Sequence, residues 1–177
     1  LGRHLRGRGF TRGIDFESRG SAKAIGDPTA PDIFIARLAG SDGAPMWFKP
    51  YGDYGRQDVT AVKVAPDGTV LLTGFLLSSQ SEAGIDFGGP EGVLEPNPKA
   101  PALGNGDLFL VKLDSAGNTL WSLRRGDEYA QAAFDVAVDS KGKIASCGIA
   151  IGTLALGGSA PSVTFNDYDV FVARFDP

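Results

Sequence analysis

At 177 residues the chain is long enough for one ordinary domain with a real core, and 42% hydrophobic with 21% charged residues are proportions that exclude general disorder. The net charge of −4 is uneven: residues 1–12 hold Arg3, Arg6, Arg8, Arg12 and His4 with no acid, and the remainder holds 13 basic against 21 acidic residues. An acidic body offers no long-range attraction for nucleic acid or an anionic membrane surface, and Cys147, the only cysteine, excludes an internal disulfide framework.

The basic start is expected to be a frayed, solvated end rather than a phosphate-binding arm. It opens near the end of a strand, because Gly2 lies about as far before Asp32 as Gly74 lies before Asp107. Leu1 follows no initiator Met, signal peptide or stop-transfer segment, and the chain reads as a piece of something longer. No apolar run approaches the roughly 18 to 20 residues that a spanning helix needs. Abundant glycine (25) and proline (11) predict short strands joined by many turns.

Along the chain, three segments repeat: DIFIARL (Asp32–Leu38), DLFLVKL (Asp107–Leu113) and DVFVARF (Asp169–Phe175). The first two matches continue at a constant offset of 74. Gly43 pairs with Gly117, Trp47 with Trp121, Gly52 with Gly126, Asp53 with Asp127, Val62 and Val64 with Val136 and Val138, and Gly74 with Gly148. A second motif, Gly13-Ile14-Asp15-Phe16, recurs as Gly84-Ile85-Asp86-Phe87, with Leu154–Gly158 a weaker copy. A fixed period of this length is the signature of a repeat architecture. It divides the chain into residues 1–50, 51–124 with a long insertion at 76–106, and 125–177.

Within one period the apolar runs are Asp107–Leu113, Thr119–Arg124, Phe134–Asp139 and Lys143–Ile149, separated by glycine-containing turns. Four short strands so joined predict an antiparallel meander. Residues 128–138 are rich in alanine, but Val136 and Val138 alternate at a spacing of two, and the preceding copy has Val59, Val62 and Val64; a strand is expected. Ile33 and Ile35 share one face of their strand, and Phe34, Ala36 and Leu38 the other. A strand apolar on both faces must be covered on both.

The pattern DLFLVKLDSAGNTLW … FDVAVDSKGKIASCG … GIDFGG resembles the β-propeller repeats of large bacterial cell-surface and secreted proteins, from about Gly13 onward. That resemblance implies an all-β fold, a partial β-propeller of about two and a half four-stranded antiparallel blades. In each blade Val59–Ala65 or Ala133–Asp139 would be innermost, then Val70–Phe75 or Lys143–Ile149, then the Asp-apolar-Phe strand, with the Trp strand outermost. It also implies an extracellular or cell-surface setting and packing partners among remaining blades or further copies.

No residue is expected to be catalytic, cofactor-binding or metal-ligating. His4 is the only histidine, which leaves no plausible triad for Cys147. Asp15 and Asp86, like Asp53 and Asp127, are paired carboxylates of the kind a glycosidase uses, but they occur in every copy, whereas a single active site needs asymmetry; turn and strand-end roles are expected. The oxygen-rich stretches Asp114–Asn118 and Asn166–Asp169 lack the spacing of a calcium loop. Gly7, Gly9, Gly13, Gly104 and Gly106 precede no helix that would hold a phosphate. Trp47 and Trp121 are expected to plug gaps between neighbouring sheets rather than to stack on sugars. The chain is thus expected to be a non-enzymatic scaffold or binding module, with contacts mainly from residues 76–106 and 150–168; a carbohydrate-binding module or the non-catalytic part of a propeller enzyme is the alternative.

Overall fold

The computed structural model describes residues 4–15, 20–25, 29–53, 55–77, 84–95 and 106–175. Among these, every regular element is a β-strand, and no helix is long and apolar enough to cross a membrane. In chain order they are β1 (His4–Phe10), β2 (Gly13–Asp15), β3 (Ser21–Lys23), β4 (Asp32–Leu38), β5 (Pro45–Tyr51), β6 (Arg56–Val64) and β7 (Val70–Leu77). There follow β8 (Ile85–Asp86), β9 (Val93–Leu94), β10 (Gly106–Leu113), β11 (Thr119–Arg125), β12 (Gln131–Val138), β13 (Ile144–Leu154) and β14 (Val163–Phe175).

Three antiparallel sheets carry the fold: a first of order β1-β4-β5, a central one of order β11-β10-β7-β6, and a third of order β12-β13-β14. The four-stranded meander is complete in the central sheet, within residues 51–124, with the Trp strand at one edge and β6 at the other. The four runs from Asp107 to Ile149 do not form one sheet, since β10 and β11 belong to the central sheet and β12 and β13 to the third. Residues 131–138 are strand, as the alternation of valines indicates. Irregularities recur with the repeat, too: β6 is bulged between Val59 and Ala61 and β12 between Ala133 and Asp135. Opposite each bulge stands a glycine of the repeat. A Cβ on Gly74 would strike the Asp58 carbonyl, and one on Gly148 the Ala132 carbonyl. The glycine exists because the neighbouring backbone comes too close for any side chain.

The opening segment departs from expectation. From His4 onward it is paired: β1 lies beside β4 along its whole length, from His4 opposite Leu38 to Phe10 opposite Asp32. The true counterpart of Gly74 is then Arg8, since Arg8 faces Phe34 as Gly74 faces Phe109, and not Gly2. Low apolar content masked this strand. What fixes it is the edge of β4, whose buried N–H and C=O groups require a partner.

The insertions are also less loop-like than expected. Between β7 and β10 lies the hairpin β8–β9, whose Ile85 and Leu94, with the following Phe87, enter the core. Residues 150–168 are largely the extended arms of β13 and β14, which pair down to Leu154 opposite Val163 past a bulge between Ala150 and Gly152. Phe16 and Gly104 lie outside the described residues.

Two apolar clusters lie on opposite sides of the central sheet. One joins Ile33, Ile35 and Tyr51 of the first sheet to Val70, Leu72, Phe109, Val111 and Leu113, with Phe87 between Tyr51 and Phe109. The other joins Leu71, Leu108 and Leu110 to Val136, Ile144, Phe171, Ala173 and Phe175 of the third sheet. Each such Leu or Phe contributes about 1.5–3 kcal/mol on burial. Of the three Asp-apolar-Phe strands, β10 is covered by a sheet on both faces; β4 meets the central sheet through Ile33 and Ile35 only, and in β14 Val170 and Val172 face solvent.

Candidate functional site

The most heavily organised polar group is a junction repeated at both seams between sheets. Each copy contains the Asp that starts the two-faced strand (Asp32, Asp107), a Gly-Asp pair (Gly52-Asp53, Gly126-Asp127) and a Gln four residues on (Gln57, Gln131). Asp53 Oδ1 accepts from Gly55 N at 2.6 Å and from Gln57 Nε2. Asp127 Oδ1 accepts from Tyr129 N at 2.9 Å and Gln131 Nε2 at 2.7 Å, while its Oδ2 accepts from Thr153 N at 2.5 Å. Gln131 Oε1 in turn accepts from Asp127 N at 3.1 Å. The glycine of the pair is required by contact: the space a Cβ would need at Gly52 or Gly126 is filled by the carboxylate of Asp32 or Asp107. These four groups latch the chain as it passes from one sheet to the next. The offset of 74 between Gln57 and Gln131 was visible in the sequence, but a matched glutamine carries no motif by itself.

The two copies differ in charge. Arg124 Nε sits 3.0 Å from Asp107 Oδ2, and the residue in Arg124's place in the first copy is Pro50, opposite Phe34 as Arg124 is opposite Phe109. Asp32 has no ion pair among the described residues, although Ile25 N donates to its Oδ2 at 2.5 Å. Burial, aided by the nearby Asp53 carboxylate, pushes Asp32 up from 3.8 to about 6 against the pull of the Ile25 and Asp53 amides. Burial also raises Asp53, against its bonds from Gly55 and Gln57. A carboxyl near 6 beside a second carboxyl has the acidity of a general acid. Both, however, are buried, and the hydrogen-bond partners they meet belong to the seam.

Several of the remaining acids serve turns. Asp114 Oδ1 accepts from Ala116 N and Asn118 N at 2.8 and 2.9 Å, and its Oδ2 from Asn118 Nδ2 at 2.9 Å; these bonds, that of the Asn118 side chain first, hold its carboxyl below the usual range. Asp139 accepts from Lys141 N and Lys143 N, Asp86 from Gly88 N, and Asp67 from Thr69 N and Oγ1. Asn166–Asp169 lies within β14, where Asp167 accepts from Tyr168 N at 2.7 Å. No three His, Cys, Asp or Glu side chains among the described residues gather as a metal site. Asp15 ends β2 and Asp86 ends β8, in separate hairpins. His4 belongs to the first sheet and Cys147 to the third, so the structure does not bring them together. Gly7, Gly9, Gly13 and Gly106 all lie in paired strands.

Both tryptophans are half-buried and pack against the clusters between sheets. Trp47 lies over Gly117, and its Nε1 donates to Ser115 O at 3.2 Å, where Arg37 also donates. The Trp strand of one sheet thereby grips the glycine turn of the next. One feature escaped the sequence reading: an open groove of about 230 Å³ between the central and third sheets, walled by Phe75, Leu77 and Gly106 on one side and by Phe134, Ile149 and Tyr168 on the other. Phe134 and Tyr168 are exposed. Phe134 is the extra residue of the β12 bulge, so simple alternation misassigns it. Compared with known proteins, the chain matches no family model and no curated protein.

Proposed function

We propose that the chain is a non-enzymatic scaffold or binding module of β-propeller type, its three sheets being consecutive blades. The observation that carries this reading is the repeated asymmetry of packing. Ile33 and Ile35 of the first sheet face the central sheet, and their repeat counterparts Leu108 and Leu110 face the third. One contact is used twice in the same sense, as in a radial array of four-stranded blades. Further support comes from the polar groups. The repeated carboxylates serve turns and seams, which is scaffold chemistry. The likeness to bacterial surface repeats supports an extracellular or cell-surface setting. Hydrogen exchange tests the reading: amides of β7 and β10, covered on both sides, should be the slowest in the protein, and rapid exchange there would sink it.

A carbohydrate-binding reading moves from the tryptophans, which are engaged in the seams, to the exposed Phe134 and Tyr168 at the groove. Aromatic faces of this kind stack on sugar rings. A glycan-array signal lost in Tyr168→Ser and kept in Trp47→Phe would favour it; the reverse pattern would remove it.

A further inference from the structure

We propose that the seam between the first and central sheets is a pH-gated joint, closed while Asp32 carries a proton and loosened when it ionises, whereas the seam between the central and third sheets is not. The proposal goes beyond the scaffold reading and does not depend on the sheets being propeller blades, since it needs only the two seams. The geometry that carries it is a surplus of buried acceptors. Asp32 is 0% and Gln57 1% exposed, and Asp32 Oδ1 and Gln57 Oε1 have no hydrogen-bond partner among the described residues. A carboxylate oxygen and an amide oxygen both accept, so neither can satisfy the other. A proton on Asp32 turns one of these acceptors into a donor.

The groups packed around Asp32 leave its charge uncompensated. The turn after β5 brings a second carboxylate, Asp53, which is itself buried. β6 brings Gln57 and the Arg56–Asp58 pair, whose charges meet each other at 2.8 Å. β1 brings Phe10, opposite Asp32, and the segment before β4 brings the amide of Ile25, which is taken up by Oδ2. The second seam is built from the same parts with two differences. Arg124 holds a guanidinium 3.0 Å from Asp107 Oδ2, and Gln131 Oε1 accepts from Asp127 N at 3.1 Å. In the first seam Arg124's place belongs to Pro50, and Gln57 Oε1 has no such amide. A buried carboxyl without a cation favours its neutral form. When rising pH forces ionisation, the cost falls on the contacts that shut water out. These are Ile33 and Ile35 against the central sheet, and the bond from Gln57 N to Pro31 O, 3.2 Å, which crosses from β6 to the chain just before β4.

Hydrogen exchange of the Gln57 amide at pH 5 and pH 8, corrected for the intrinsic chemical rate, tests this, with the Asp127 amide as the control in the second seam. Asp32 is held at about 6 in the closed seam and returns to its ordinary 3.8 in the open one. The opening constant read at Gln57 should therefore rise about tenfold from pH 5 to pH 8, while that at Asp127 stays within about twofold. Asp32→Asn should remove the rise at Gln57. No rise at Gln57, an equal rise in both seams, or a rise that survives Asp32→Asn overturns the gate. Should Asp32→Asn not fold, a carbon NMR titration of the Asp32 carboxyl in the wild-type chain decides: a midpoint near 6 supports the gate and one near 3.8 overturns it. Slow exchange of β7 and β10 in these same measurements leaves the stack standing whatever becomes of the gate, and rapid exchange there removes the scaffold reading instead.

Discussion

Asp32→Asn should change how stability depends on pH, and the sign follows from the burial of Asp32. The residue is 0% exposed and its carboxyl is held at about 6 instead of 3.8. Below the unfolded value the group is neutral in both states and makes no difference. Between the two values the folded chain keeps a proton that the unfolded chain releases, so stability falls as pH rises. Above about 6 the whole cost is present, on the order of 3 kcal/mol. Asp53, raised by burial as well, adds in the same direction. Asparagine retains an acceptor for Ile25 N and cannot ionise. Relative to wild type, the variant should therefore gain on going from pH 4 to pH 7, by at most about 3 kcal/mol, or roughly 6–12 °C in melting temperature for a chain of this size. Thermal melts of both proteins at several pH values give the answer directly. A gap between the two melting curves that does not change from pH 4 to pH 7 would refute the assignment of Asp32 as a buried, uncompensated acid.

Pro50→Arg would bring to the first seam the guanidinium that Arg124 supplies at the second, and should flatten the same pH dependence in the Asp32 protein; a slope identical to wild type counts against the repeat equivalence. Gly74→Ala should cost about 1–3 kcal/mol, because its Cβ meets the Asp58 carbonyl rather than a movable side chain, and denaturant unfolding reads it. Trp121→Ala should lower stability by about 3 kcal/mol or more through lost packing between the central and third sheets; a soluble variant with an unchanged melting point would show that the ring is not part of that seam.

How much of this was legible in the sequence differs from element to element, for physical reasons. The Asp-apolar-Phe strands were plain because each is a nearly unbroken apolar run, a pattern that burial on both faces explains in β10, and the valine alternation settled residues 131–138 as strand. At the start of the chain only the end of a strand was expected, and the extent of β1 was missed because its Arg-Gly-Arg-Gly sequence has no apolar face; its conformation is imposed by the edge of β4. The hairpin β8–β9 was taken for a surface insertion because Ile85 and Phe87 stand among glycines and acids, and only the surrounding sheets show that both are buried. The seam junction failed in another way. Asp53 and Asp127 were correctly matched and given turn roles, but their partners Asp32, Asp107, Gln57 and Gln131 lie in different strands, and no local pattern links them.

The same contrast explains why equal sequences meet unequal fates in this molecule. Leu110 and Val172 occupy one repeat position and face equivalent neighbours, Thr73 and Cys147, on one side, yet one is sealed and the other faces water. Leu110 also has Leu123 beside it and the third sheet over it, whereas β14 is the edge strand of its sheet. Truncating each to alanine should separate the two contributions. Leu110→Ala removes buried atoms and leaves a cavity, at about 2–5 kcal/mol, whereas Val172→Ala should stay within about 0.5 kcal/mol. Equal losses at the two positions would mean that the strand's own conformation, and not the sheet stacked upon it, sets the stability of the repeat.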